Sequence, residues 1–204
     1  MTVAQGRHLV PQADRAHLGL TSEDQRAIDR QLGRPARAVV GVAARCVCGT
    51  PLVTMTNPRL PDGEPFPTFY YLTHPQASRA IGRLESQGVM AQLNLELSQD
   101  PGLAAAYREA HSRYLAARLR LAQVDEIANV SAGGMPNRVK CLHALAAHAL
   151  AEGPGVNPVG DWTLTAIASE WRPDLCTCQL VPDAGLAAGA APDQEPSWVG
   201  ENRG

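Results

Sequence analysis

The sequence predicts an α+β fold in which a small antiparallel β-unit of about three strands packs against a mainly helical region. Short apolar, β-branched runs bounded by turn residues occupy positions 36–73, as is typical of strands. Beyond residue 74 the apolar residues recur every three or four positions, as is typical of amphipathic helices. We expect one α+β domain over residues 21–180, a flexible lead over 1–20 and a disordered tail over 181–204.

The first predicted helix begins at Thr21, because hydroxyl caps and acidic residues occupy its first turn, and it ends at Leu32 before Gly33. Residues 36–45 and 52–56 are then expected to form two strands joined by a turn.

A proline-rich segment over residues 57–67 leads to a third strand over 68–73. Its four prolines and its Asp-Gly pair predict a stiff loop between the two strands. Such a loop serves equally well as a preorganised binding surface and as a plain connection, and the sequence leaves both open.

Helices are expected to make up the rest of the domain. His74 lies at the cap of the first one, because proline at position 75 is favoured at the first helical position. Asn137 is predicted to cap the fourth, which ends at a Gly-Pro-Gly break. The predicted helices cover residues 75–88, 89–98, 101–122, 138–152 and 161–171.

Charge and hydropathy limit the classes of partner and the location. The chain has 18 basic and 20 acidic residues and a net charge of -2, which does not favour nucleic acid or an anionic membrane as a partner. It lacks both an apolar stretch of membrane-spanning length and a signal-peptide-like N-terminus, so we expect no membrane span and a cytoplasmic location.

Cysteine and histidine residues fall in tight clusters that predict a metal site. Thiols stay reduced in the cytoplasm, so paired cysteines there favour metal over disulfide, and the odd number of five points the same way. Zinc is the simplest candidate ion. Inert buried thiols and a redox pair are the alternatives. The clusters are Cys46-x-Cys48, His74, Cys141-x-His143-x4-His148 and Cys176-x-Cys178.

The preferred ligand set combines residues at predicted element ends, because such positions are rigid and can converge on one ion. A rival set keeps the first C-x-C pair and adds the second, which makes a closed four-thiolate site. It ranks second because the second pair lies close to the predicted tail. The preferred ligands are Cys46, Cys48, His74 and Cys141, with His143 able to replace one, and the rival ligands are Cys46, Cys48, Cys176 and Cys178.

Two histidines are candidate general bases. His111 lies between Tyr107 and Tyr114 at helical spacing, and a core histidine bonded to a hydroxyl competes with the catalytic interpretation. His148 is a candidate base or an orienting group, and simple packing in an alanine-rich helix is the alternative.

An anion site is predicted where a Gly133-Gly134 loop precedes a helix. Free amides at a helix N-terminus favour negative charge, and Arg138 and Lys140 add two cations beside the cap residue Asn137. A plain turn with solvated basic side chains is the competing interpretation.

Several strings resemble the actinobacterial domain-of-unknown-function family 501, which is uncharacterised. The resemblance extends over about residues 24–172, and it implies that the position of His74 holds cysteine in some members, an exchange that a metal ligand permits. The strings are RCVCG (45–49), PRLPDGEPFPTFYYLTHP (58–75), AAYREAHSRY (105–114) and NRVKCLHALAAHALAEGPGVNPVGD (137–161).

Two functions follow as hypotheses. The first is a non-enzymatic structural or interaction module with a zinc site, because no paired carboxylates or nucleophile-base pair accompany the ligands. The second is a metal-dependent hydrolase or transferase acting on a phosphorylated small molecule, with His111 or His148 as base and Arg138 with Lys140 as anion clamp. The first implies a protein partner, and the second implies a small anionic ligand.

Overall fold

A computed structural model describes residues 19–178 of the chain. Three strands form an antiparallel sheet in the order β1-β2-β3, and helices pack against it, which confirms the predicted α+β class. The predicted tail and most of the predicted lead lie outside the described residues. The elements are α1 (Ser22–Leu32), β1 (Val39–Arg45), β2 (Pro51–Thr56), β3 (Tyr70–Leu72), α2 (Pro75–Ser86), α3 (Val89–Gln99), α4 (Pro101–Leu119), α5 (Leu142–Glu152) and α6 (Pro158–Ala166), with a short 3-10 helix at Asp125–Ile127.

Local capping chemistry fixes most helix starts. Thr21 and Asp24 form a capping box at α1, and Gly33 ends that helix in the left-handed conformation, as predicted. Helices α2, α4 and α6 each begin with proline directly after a side-chain cap, which is His74, Asp100 or Asn157. Helix α6 begins three residues before its predicted start, because an asparagine cap followed by proline is itself a complete helix-start signal.

The predicted start of the helix now named α5 is wrong by several residues. It begins at Leu142 with Cys141 at its N-cap, and none of the helices within residues 19–178 begins after Asn137 as its cap. The preceding backbone already has other partners: Val139 N–H donates to the Asn94 side chain at 2.8 Å, and Lys140 N–H donates to Gly133 O at 2.8 Å. Those bonds hold the segment in an irregular loop and prevent an earlier helical turn.

Helix α5 is the centre of the fold. Eight of its residues are buried, because it packs against all three strands on one side and against α6 on the other. Gly160 of α6 allows the close crossing, since a Cβ there would lie 2.2 Å from the Leu145 carbonyl oxygen. The sheet and helices α2 and α4 complete one contiguous apolar core around α5.

Tyr114 of α4 ties the helical layer to the start of β3. Its side chain is fully buried, and its hydroxyl accepts hydrogen bonds from Phe69 N–H at 2.6 Å and Tyr70 N–H at 3.3 Å. The same hydroxyl donates to Pro67 O at 3.2 Å. One buried oxygen therefore satisfies backbone groups where the sheet has no further strand to do so.

Candidate metal centre

The first C-x-C pair lies in the tight turn between β1 and β2. Cys46 N–H donates to Thr50 O at 2.8 Å, and Gly49 N–H donates to Cys46 O at 2.8 Å, which closes the turn. Gly49 has φ of 91°, a backbone conformation that other residues adopt only with strain. Cys46 is buried and Cys48 is exposed, so the turn presents one sulfur to the interior and one to the surface.

The second C-x-C pair follows α6 and is held by an aromatic anchor. Trp171 is buried, and its ring lies 5.3 Å from the His74 imidazole. A turn follows, in which Leu175 N–H donates to Arg172 O at 3.3 Å. This turn directs the segment after Trp171 back towards the sheet. Half-buried Cys178 packs against the core there.

The four thiols of these two pairs come together. The sulfur atoms of Cys46, Cys48, Cys176 and Cys178 all lie within 4.8 Å of one another. A tetrahedral zinc ion with sulfur at about 2.3 Å requires sulfur separations of about 3.8 Å, so only a small contraction of this cluster is needed. All five cysteines are free thiols. These four could therefore hold a metal ion.

The cluster favours a thiolate on its exposed side. Burial raises the pKa of Cys48, but hydrogen bonds with Thr50 and with the thiols of Cys176 and Cys178 outweigh it and lower that pKa to about 6. Burial raises the pKa of Cys46 and of Cys178, and the thiols of Cys48 and Cys46 raise that of Cys178 further. A bound cation would stabilise all four sulfurs as thiolates.

A groove of about 560 Å³ lies beside the four sulfurs, between α1 and the β1–β2 turn. Cys48 and Cys178 both line it, so the cluster borders the groove. On its wall Arg45 makes a two-pronged ion pair with Asp24, with N–O distances of 2.5 and 2.9 Å. This ion pair holds α1 against the end of β1. Its two side chains form a rigid, polar wall of the groove.

Cys141 and His143 belong to a second group, with Glu85 of α2. One ligand atom from each of the three lies within 4.8 Å of the other two. His143 Nδ1 is 3.3 Å from Glu85 Oε1, and Leu142 N–H donates to the same oxygen at 2.6 Å. Burial lowers the pKa of His143, but hydrogen bonds with Cys141 and Glu85 outweigh it and raise that pKa to about 10. Without a metal ion the group is an internal ion pair at the N-terminus of α5.

His74 belongs to neither group. It is fully buried at the N-cap of α2, where its Nδ1 accepts a hydrogen bond from Ala77 N–H at 3.4 Å. Its Nε2 has no hydrogen-bond partner within residues 19–178. Burial, with a smaller contribution from Arg79, lowers the pKa of His74 to about 4, so it is neutral. Its contact with Trp171 makes it a support for the second C-x-C segment.

The ligand grouping therefore differs from the preferred one. Cys46 and Cys48 lie in one group, Cys141 and His143 lie in another, and His74 is used as a helix cap. The rival set is the one that the fold assembles. The sequence ranks this set second because its second pair lies close to the predicted tail, but Trp171 anchors that segment before it reaches the cysteines. The sequence does not indicate Glu85 as a ligand, since a lone glutamate late in a helix carries no signal of metal binding.

The two candidate bases have different surroundings. His111 is half-buried, and its Nδ1 lies 2.9 Å from the Ser131 hydroxyl. His148 is fully buried in α5, where its Nδ1 accepts from Asn157 Nδ2 at 3.1 Å and its ring lies against Tyr70 and Tyr114. Burial lowers the pKa of His148 to about 3, so it is a neutral core residue, and it belongs to neither ligand group.

The predicted anion residues Asn137, Arg138 and Lys140 are exposed, but they lie in a loop and not at a helix N-terminus. The actual N-terminus of α5 already contacts a carboxylate, that of Glu85. The Gly133-Gly134 pair is explained by packing, because a Cβ on Gly133 would lie 2.6 Å from the Leu145 side chain. The helix-dipole basis of this prediction is therefore absent.

None of the helices in the described part of the chain is both long and apolar enough to cross a membrane. The model of a protein family described as "Protein of unknown function (DUF501)" matches residues 42–165. Neither a curated protein nor a solved structure matches the chain.

Proposed function

The chain belongs to the DUF501 family, whose function is unknown, and we propose that it is a cytoplasmic zinc protein acting as a structural or interaction module. The observation that carries the proposal is the mutual approach of four cysteine sulfurs from two distant segments within 4.8 Å. An actinobacterial cytoplasm would keep these thiols reduced and available to a metal.

Zinc is the ion that this donor set fits best. Four thiolates in a tetrahedral arrangement are typical of structural zinc sites, and soft sulfur donors exclude the hard cations magnesium and calcium. Because sulfur would fill every position, the ion has no open position for water or substrate. This supports a structural role at the four-cysteine centre over the hydrolase or transferase alternative.

The metal would order a surface for a protein partner. Val47, between the first two cysteines, is 51% exposed, and Leu175, directly before the third, is 60% exposed. In this proposal the two apolar side chains, on loops that one ion joins, form a single contact surface for the partner. The groove beside the sulfurs adds a recess at the same place.

Metal analysis of protein purified without chelator tests the proposal. We expect about one tightly held zinc per chain in the wild type and in Cys141→Ser, and none in Cys176→Ser/Cys178→Ser. An equal zinc content in the double variant and the wild type would remove the four-cysteine centre from consideration.

The interaction role has its own test. Tagged wild-type protein and a Val47→Ser/Leu175→Ser variant are compared for partners that co-purify. A partner that is lost both in this variant and after zinc removal supports the proposed surface. A partner retained by both preparations would place the contact elsewhere.

A further inference from the structure

A second group of potential ligands lies between α2 and α5, apart from the four cysteines. Glu85 is in the last turn of α2, Cys141 caps α5, and His143 is in the first turn of α5. Each offers one ligand atom within 4.8 Å of the other two. We propose that Glu85, Cys141 and His143 bind a second divalent transition-metal ion, in a site that keeps a coordination position open to solvent.

The orientation of His143 supports coordination through Nδ1. Its Nε2 lies 3.0 Å from the Ser78 carbonyl oxygen, which can only accept, so Nε2 carries the hydrogen. Its Nδ1 faces the Glu85 carboxylate at 3.3 Å. Histidines that bind metals usually donate their other ring N–H to a backbone carbonyl or a carboxylate, which fixes the tautomer and the ring. Ser78 O provides that contact here.

Glu85 is held in place by the helix that supplies the other ligands. Its Oε1 accepts from Leu142 N–H at 2.6 Å. Ser78 and Glu85 are seven residues apart in α2, about two turns, so they lie on the same face of the helix. One face of α2 therefore orients the imidazole through Ser78 and supplies the carboxylate through Glu85.

The donor set and its exposure define the kind of site. A thiolate, an imidazole and a carboxylate together suit zinc or ferrous iron better than magnesium or calcium. Three protein ligands leave a tetrahedral ion one position short, as in catalytic zinc sites. The Glu85 and His143 side chains are 22% and 31% exposed, so water reaches this position.

Cobalt titration of the full chain, with zinc already bound in the first site, tests the proposal. We expect a second equivalent to bind with the spectrum of one thiolate and nitrogen or oxygen ligands. Cys141→Ser and His143→Gln should each weaken this second binding by about a hundredfold, and Glu85→Gln by about tenfold or more. Glu96→Gln, a half-buried carboxylate in α3 that belongs to neither ligand group, is the matched control and should change nothing.

The four-cysteine centre and the second site are tested by different results. Loss of the first, tightly held equivalent in Cys176→Ser/Cys178→Ser reports only on the four-cysteine centre. The second site is overturned if the wild type binds no second equivalent, or if Cys141→Ser binds it as tightly as the wild type. Circular dichroism of each variant confirms that its helices remain folded.

Discussion

Removing the second pair of thiols, in Cys176→Ser/Cys178→Ser, should destabilise the fold by a predictable amount. In the proposed centre the metal links the β1–β2 turn to the segment after Trp171, across about 130 residues of chain. A cross-link that closes a loop of this length restricts the unfolded chain by about 5 kcal/mol in the chain-entropy model. For a protein of this size, that corresponds to a melting temperature lower by about 10–20 °C.

Thermal unfolding followed by circular dichroism, with and without a strong chelator, measures this loss. The wild type with zinc should melt highest, and chelator should bring it down to the melting temperature of the double variant. The double variant, purified without added metal so that the site of Glu85, Cys141 and His143 is empty, should not respond to chelator, which separates loss of the metal from loss of cysteine packing.

Two outcomes would refute the reasoning. One is a wild type whose melting temperature is unchanged by chelator, because the link would then contribute nothing to stability. The other is a double variant that stays well below the chelated wild type, because the cysteines would then act through packing. Cys141→Ser, outside the cluster, should retain the chelator response.

Three further predictions concern the core. Gly160→Ala should cost about 1–3 kcal/mol in urea unfolding, because its Cβ would overlap an α5 carbonyl, whereas Gly82→Ala, with nothing within 4 Å, should be neutral or slightly stabilising. Tyr114→Phe should cost about 1–3 kcal/mol by the same assay, since it removes the buried hydroxyl that accepts from Phe69 N–H and Tyr70 N–H. Burial lowers the pKa of His74 to about 4 and of His148 to about 3. Below about pH 6.5 the folded state therefore binds fewer protons at these two residues than the unfolded state does. The free energy of unfolding should decrease as the pH is lowered towards 5, by roughly 2.7 kcal/mol per pH unit. Urea unfolding of metal-free protein at several pH values checks this slope. NMR resonances of the His74 and His148 imidazoles that titrate near pH 6.5 in the folded protein would contradict the prediction.

Local chemistry made much of the fold predictable. The starts of α1, α2 and α4 follow from caps and prolines at fixed spacing, and such signals act within one helical turn. The start of α5 was not predictable in this way. Its preceding loop is held by Asn94, which is 45 residues away in the sequence, and no local pattern reports such a contact.

The candidate sites, like the helix starts, could be predicted only as far as local sequence determines them. The sequence indicates that the C-x-C motifs, Cys141 and His143 are potential metal ligands. It does not indicate which of them bind the same ion. The pairing of Cys46 with Cys178 depends on the packing of Trp171 against His74, and Glu85 reaches His143 only because α2 packs on α5. Ligand identity is a property of the sequence, whereas ligand grouping is a property of the tertiary fold.

X-ray absorption spectroscopy at the zinc edge, on protein carrying one equivalent of zinc, tests the central claim most directly. Four sulfur neighbours at about 2.3 Å and no nitrogen are expected. A first shell that contains imidazole nitrogen would contradict the four-cysteine centre and would favour ligands from a different part of the chain.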